Sequence, residues 1–131
     1  MVGFMNETEL NDFIRRYVAM WHERDVARRR ELVATLFAPD AENYTQLSVS
    51  RGLDEIVARV TRAHDEWVAA KECVFQPTGN TAAHHHLVKF FWRMRPANGG
   101  DAISIGLDVF VLNDDGKIRA LYQFIEPDAA R

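Results

Sequence analysis

Residues 102–126 read AISIGLDVFVLNDDGKIRALYQFIE, and this stretch decides the architecture. Its NDDG, at 113–116, is a turn signal in which Gly116 can supply positive φ, and it separates two runs rich in apolar and β-branched residues. The spacing predicts a strand over Ala102 to Leu112 and a second over Lys117 to Glu126. Upstream, Ala82 to Arg95 alternates with a period of two and is closed by Pro96 and the loop ANGGD. Before it, CVFQ at 73–76 is a shorter strand ended by Pro77-Thr78-Gly79-Asn80. Four successive antiparallel strands therefore fill the second half of the chain.

The first half keeps helical time. Leu10, Phe13, Ile14, Tyr17, Val18 and Trp21 recur at three and four, with Asn6 or Thr8 as N-cap and Glu9 placed for a capping box. Asp25 can cap a second helix, on which Val26, Val33, Leu36 and Phe37 share a face until Pro39 ends it. AENYTQLSV reads as a short strand broken by Gly52. Leu53, Ile56, Val57, Val60, His64, Trp67 and Val68 then predict a third helix reaching about Ala70. Three early helices and a late run of strands are an α+β order, with helices covering one face of a curved sheet.

Composition narrows the function. A chain of 131 residues with 47% hydrophobic content is expected to form a single domain over 1–131, large enough for a core and a modest pocket. A lone Cys73 makes no internal disulfide. No window approaches the roughly 18 uninterrupted apolar residues of a membrane span, and MVGFMNETEL lacks the basic start and greasy stretch of a signal peptide, so the expectation is a cytoplasmic protein without membrane association. Net charge is −3, which gives no general attraction for phosphates. The basic cluster Arg24, Arg28, Arg29 and Arg30 is interleaved with Glu23, Asp25 and Glu31, as on a solvated helix face, so no nucleic-acid partner is expected.

Strand alternation assigns faces. In Ala82 to Arg95 the even positions, including His84, His86, Val88, Phe90, Trp92 and Met94, form the buried side, so His84 and His86 are expected to point beneath the helices. In the next strand Ser104, Gly106, Asp108, Phe110 and Leu112 share one face. The opposite face, Ile103, Ile105, Leu107, Val109 and Val111, is too apolar for water and predicts a homodimer through the sheet. Asp108 is the anomaly. A carboxylate in an apolar strand costs several kcal/mol unless paired, hydrogen-bonded or protonated. The plain alternative places it at a solvated rim or opposite Arg119.

Together these residues resemble a known family. The opening helix with RRYVAMWHERD, the second ending LFAPDAENYT, then SRGLDEIV, and the closing GLDVFVLNDDGKIRALYQFIE are similar to the nuclear transport factor 2-like superfamily, in its branch of SnoaL-like polyketide cyclases and ketosteroid isomerases. The resemblance implies a cone-like, curved, mostly antiparallel sheet with three helices enclosing a pocket, commonly dimeric. It places Tyr17 where the isomerases keep an oxyanion-binding tyrosine, and Asp108 where they keep a protonated acid donor, the pair the field uses as its example of a neutral buried carboxylic acid. In the cyclases an aspartate in this region is instead the general base. The isomerase base position is occupied by Thr45, or at best Gln46, and neither takes a proton from carbon at neutral pH. That argues against the known steroid-isomerase mechanism.

The catalytic candidates are therefore Tyr17, His86 and Asp108, with His86 or Asp108 moving a proton beside a carbonyl and Tyr17 stabilising the enolate oxygen. Trp21, Thr45, His84, Phe90 and Phe110 are candidates for contacting a flat, hydrophobic, carbonyl-bearing ligand. Tyr17 taken alone reads first as a core tyrosine, and only with Asp108 beside it does the site reading weigh as much; the histidines read equally as satisfied core residues. His84-x-His86 with Asp108 has the composition of a metal site, but that pattern belongs to all-β barrels, and no metal or other cofactor is expected. Hydration or epoxide opening would use Asn43, Thr45 and His86. The competing class is a non-catalytic ligand-binding or dimeric assembly module of the same fold.

Overall fold

Asn6 begins the first helix as its pattern requires. Its side chain accepts the Glu9 backbone N–H at 2.8 Å while the Glu9 carboxylate accepts the Asn6 N–H at 2.9 Å, a closed capping box that starts α1, Glu7–His22. In this computed structural model, which describes residues 5–127, α2 spans Val26–Leu36 and is capped by Asp25, which accepts from the Arg28 N–H at 3.0 Å. The helix stops at Leu36 rather than running to Pro39, because the extended backbone favoured ahead of a proline already starts at Phe37. Val26 is exposed, and Arg29 takes the buried side of α2. The Arg29 guanidinium donates to the Glu23 carbonyl at 2.7 and 3.0 Å, joining α2 to the end of α1.

The chain continues as β1, Phe37–Tyr44, β2, Val49–Arg51, and α3, Gly52–Ala63. Gly52 sits at φ 81, a conformation that a side chain would strain, where β2 turns into α3. From His64 to Ala70 the helix widens into a π-helix, a form often found where a helix lines a site. Four strands follow: β3, Cys73–His84, β4, Leu87–Pro96, β5, Ser104–Leu112, and β6, Ile118–Pro127.

The strands form one six-stranded sheet in the order β2-β1-β6-β5-β4-β3. β3 to β6 pair antiparallel in succession, four strands as expected, but the first reversal falls at His85-His86 and not at Pro77–Asn80, which lie inside β3, while β1 lies parallel to β6. The expected cone does not form. The sheet is open, with β2 and β3 as separate edges, and it is not strongly curled, so the α+β class stands but the cone-like curvature does not. The helices pack on one face, and Phe13, Tyr17, Met20, Val33, Ile56, Val60, Phe90, Phe110 and Leu121 fill the space between the layers.

The face assignments of β4 and β5 hold from Val88 onward. Val88, Phe90 and Trp92 are buried, as are Ser104, Asp108, Phe110 and Leu112. The histidines do not follow this alternation. β3 ends at His84 and β4 begins at Leu87, so His85 and His86 make a tight turn in which His85 adopts φ 53. A turn has no period-two face, and neither His84 nor His86 points beneath the helices: His84 is exposed and the His86 side chain is 42% exposed. Among the described residues no helix is long and apolar enough to cross a membrane.

Candidate functional site

α1 carries Tyr17 over the middle of β5, and there the phenol hydroxyl donates to Asp108 Oδ2 at 2.7 Å. Both side chains have no exposed surface. The Trp92 indole N–H, reaching across from β4, donates to Asp108 Oδ1 at 2.9 Å, and the Gln123 amide on β6 lies 3.3 Å from both carboxyl oxygens. Antiparallel register explains the convergence. Asp108 is paired directly with Gln123 and with Phe90, and Trp92 lies two residues further along β4 on the same face. Tyr17 is held by rings on three sides, with Phe110 edge-on at 4.7 Å, Phe90 at 5.8 Å and Trp21 at 6.0 Å.

The electrostatics follow from burial. Removal from water pushes the Asp108 carboxyl up to about 6, although the bonds from Tyr17, Trp92 and Gln123 and the charge of Arg59 all pull it down. Desolvation outweighs them. Tyr17 is pushed well above the ordinary phenol value, first by burial and then by the neighbouring carboxylate, so it stays a hydroxyl donor. The Trp21 indole N–H lies on the phenol side and eases this slightly, yet it reaches hydrogen-bond geometry with no described residue.

Beside this polar knot is a cavity of about 360 Å³ between α3 with its π-helical extension and the inner face of the sheet. Trp21, Trp67, Val68, Phe75, Trp92, Met94, Ile103 and Ile125 make its walls apolar, and its polar groups are Arg59, His64, Ser104 and Gln123. Gln123 belongs to both places. Its amide nitrogen faces Asp108 and the Tyr17 oxygen, 3.5 Å away, while its Oε1 accepts from Arg59 Nη2 at 2.7 Å and from Asn43 Nδ2 at 3.1 Å. The order is Arg59 to Gln123 to Asp108, a chain of hydrogen bonds leading from the cavity to the buried acid.

Of the residues singled out from the sequence, Tyr17 and Asp108 meet, and Trp21 lines the cavity. Phe90 and Phe110 stack at 6.0 Å in the core under Tyr17 and do not line it. Thr45 lies in the β1–β2 turn, where its hydroxyl accepts the backbone N–H groups of Leu47 and Ser48. His86 pairs with Asp114 at 3.2 Å in a separate surface depression with Leu112, Asn113 and Arg119. His84, His86 and Asp108 are thus separated, and among the described residues no group of three or more His, Cys, Asp or Glu is placed to hold a metal. Asp108 is neither at a rim nor paired with Arg119.

Sequence reading passes over Arg59, His64 and Gln123. Arg59 had a signal, a cation one turn from Ile56 and one residue before Val60 on the apolar side of α3. Gln123 had a weaker one, a lone amide among apolar strand residues next to Leu121.

Residues 14–121 match the family model of the SnoaL-like domain. Among solved structures, a proposed isomerase of the SnoaL-like family from Agrobacterium tumefaciens is 28% identical, with a TM-score of 0.81 over 91% of this chain and 98% of that one. A proposed polyketide cyclase from Sinorhizobium meliloti is 18% identical, with a TM-score of 0.66 over 91% of this chain and 99% of that one. SalBIII, an epoxide hydrolase/cyclase-like enzyme of pyran ring formation in the polyether salinomycin, is 20% identical, with a TM-score of 0.68 over 92% and 93%. No curated protein matches the chain.

Proposed function

The chain belongs to the SnoaL-like domain family, and from that membership we propose that it is an enzyme moving a proton on a small hydrophobic, carbonyl-bearing molecule held in the cavity. The fold and the names of its relatives support the broad statement, SnoaL-like activity on a small hydrophobic molecule. The finer statement concerns the acid. Asp108, poised near 6, is within the range in which a carboxyl group can both take and return a proton near neutrality. Tyr17 donates its single hydroxyl hydrogen to Asp108 in the resting site, and in the reaction turns that hydrogen to the oxygen on which negative charge develops when the ligand's carbon loses its proton to Asp108. Ligand entry turns the Gln123 amide aside, which opens Asp108 to the cavity. A polyketide- or steroid-like skeleton suits the aromatic walls.

The observation that carries this reading is the double placement of Gln123, at once a wall of the cavity and a hydrogen-bond partner of both Asp108 and Tyr17. Exchange of the α-protons of a bicyclic ketone such as tetralone in D2O, followed by proton NMR, tests it. Wild type is expected to accelerate exchange and Asp108→Asn to abolish the acceleration. Equal rates in the two proteins would remove Asp108 from the chemistry.

One observation favours the non-catalytic reading, a receptor for the same ligands. Both Asp108 oxygens are fully occupied by donors and shielded from the cavity. Ketone binding without any exchange would decide for it.

We also propose a homodimer through the outer face of the sheet. Ile105, Tyr122 and Phe124 on that face are 39%, 43% and 52% exposed, and Phe91 and Leu107 lie beside them. Sedimentation should give a dimer for wild type and a monomer for Phe124→Glu; a monomeric wild type would refute the pairing.

A further inference from the structure

Arg59 projects from α3 into the cavity wall, where burial pulls its pKa below the usual arginine value while the group remains charged. Desolvating a guanidinium is costly, and proteins normally offset that with a carboxylate. Here the partners are neutral. Nη2 and Nε donate to the Gln123 carbonyl oxygen at 2.7 and 3.3 Å, Nε also donates to the Asn43 carbonyl oxygen at 3.1 Å, and the guanidinium carbon lies 5.5 Å from the centre of the Trp21 ring. Among the described residues no aspartate or glutamate forms an ion pair with Arg59, and Nη1 has no hydrogen-bond partner.

The rest of the lining has the same bias. Among the described residues no acidic side chain lines the cavity, and Asp108 stands behind the Gln123 amide. Arg59 is the open donor that an anion can use. Trp21 lines the same cavity, but its indole N–H is buried on the side of the Tyr17 phenol and does not face the open space. His64 also lines it, and its Nδ1 lies 2.9 Å from the Trp21 carbonyl. A carbonyl only accepts, so Nδ1 carries the hydrogen, and in that tautomer Nε2 is an acceptor, able to take a hydrogen from a ligand but not to hold a carboxylate.

We propose that the cavity selects apolar molecules bearing a carboxylate, which docks on the Arg59 guanidinium while the hydrocarbon body lies among Trp21, Trp67, Phe75 and Trp92. The inference rests on reading this cavity as the ligand site, and it adds the charge class that the family does not specify. A carboxylate matches a guanidinium with one open amino group, because the pairing replaces water lost on both partners with a charge-assisted hydrogen bond. A neutral ketone leaves that cation with its neutral hydrogen-bond partners and the more distant carboxyl of Asp108 behind Gln123.

All three tryptophans of the chain line the cavity, so their fluorescence reports occupancy directly. The probes are adamantanecarboxylate and adamantyl methyl ketone, nearly equal in shape, the ketone absorbing only weakly where tryptophan does. At pH 7.5 wild type should bind the carboxylate at least about tenfold more tightly than the ketone, the scale of a hydrogen bond to a charged group. Arg59→Gln should erase that preference, and Arg59→Lys should retain part of it. Equal affinities in wild type, a comparison that needs no variant to fold, would overturn the charge class and leave the cavity as a site for neutral ligands. Binding of neither probe would overturn the cavity reading as well.

Discussion

Gly106 and Trp92 occupy one space: a Cβ on Gly106 would lie 2.2 Å from the Trp92 indole, and 2.8 Å from the Phe124 carbonyl oxygen. The glycine is paired with Trp92 across β4 and β5, and its missing side chain lets the indole lie flat over β5, with its N–H 2.9 Å from Asp108. A backbone atom of one strand thereby sets the position of a donor to the buried acid.

Gly106→Ala should displace Trp92 and break that bond. The expected cost is about 1–3 kcal/mol, the range for overpacking a filled interior, with a changed near-ultraviolet circular dichroism signal from the moved indole. An unchanged spectrum and midpoint would mean that Trp92 is not seated by Gly106.

Asp108 should make stability fall as pH rises. Its folded value, about 6, is above the ordinary carboxyl value of 3.8. The folded state therefore keeps a proton that the unfolded chain releases, and this contribution is complete below about 3.8 and lost as pH climbs through about 6. The size is on the order of 3 kcal/mol. Asp108→Asn lacks this dependence, so the wild-type deficit relative to the variant should widen between pH 4 and 7 in urea titrations. Parallel curves would show that Asp108 titrates normally.

Phe110→Ala should cost about 3–5 kcal/mol, as for large aromatic truncations in cores. Phe110 packs edge-on to Tyr17 at 4.7 Å and to Phe13 at 5.2 Å, so the Tyr17 hydroxyl should also loosen from Asp108. Thermal unfolding checks the first effect, and proton NMR of the Tyr17 hydroxyl the second.

His86→Ala should leave ketone exchange and probe affinity unchanged and alter stability by no more than about 0.5 kcal/mol, as for surface substitutions. Its imidazole meets Asp114 in a depression separate from the cavity. Loss of exchange in this variant would return His86 to the chemistry.

The histidine expectation failed for a local reason. Alternation is a property of a strand, and HHH contains no glycine or proline to announce that the chain reverses there, yet His85 takes φ 53 and carries the turn. The same limit hid the sheet's outline. Whether strands curl into a cone or remain an open layer depends on the twist and pairing of neighbours, including the parallel contact of β1 with β6, and one strand's pattern does not contain it.

Residue type and spacing alone settled the capping box of α1, the periods of the helices, the number of antiparallel strands in the second half and the division of β5 into two faces, because each depends on neighbours within a few positions. Tertiary structure alone decided that Tyr17, 91 residues away in the chain, would close on Asp108, and that Arg59 and Gln123 would join that pair to a cavity. Contacts of that kind are made by register and helix docking, so their partners share a location without sharing any interval in the sequence.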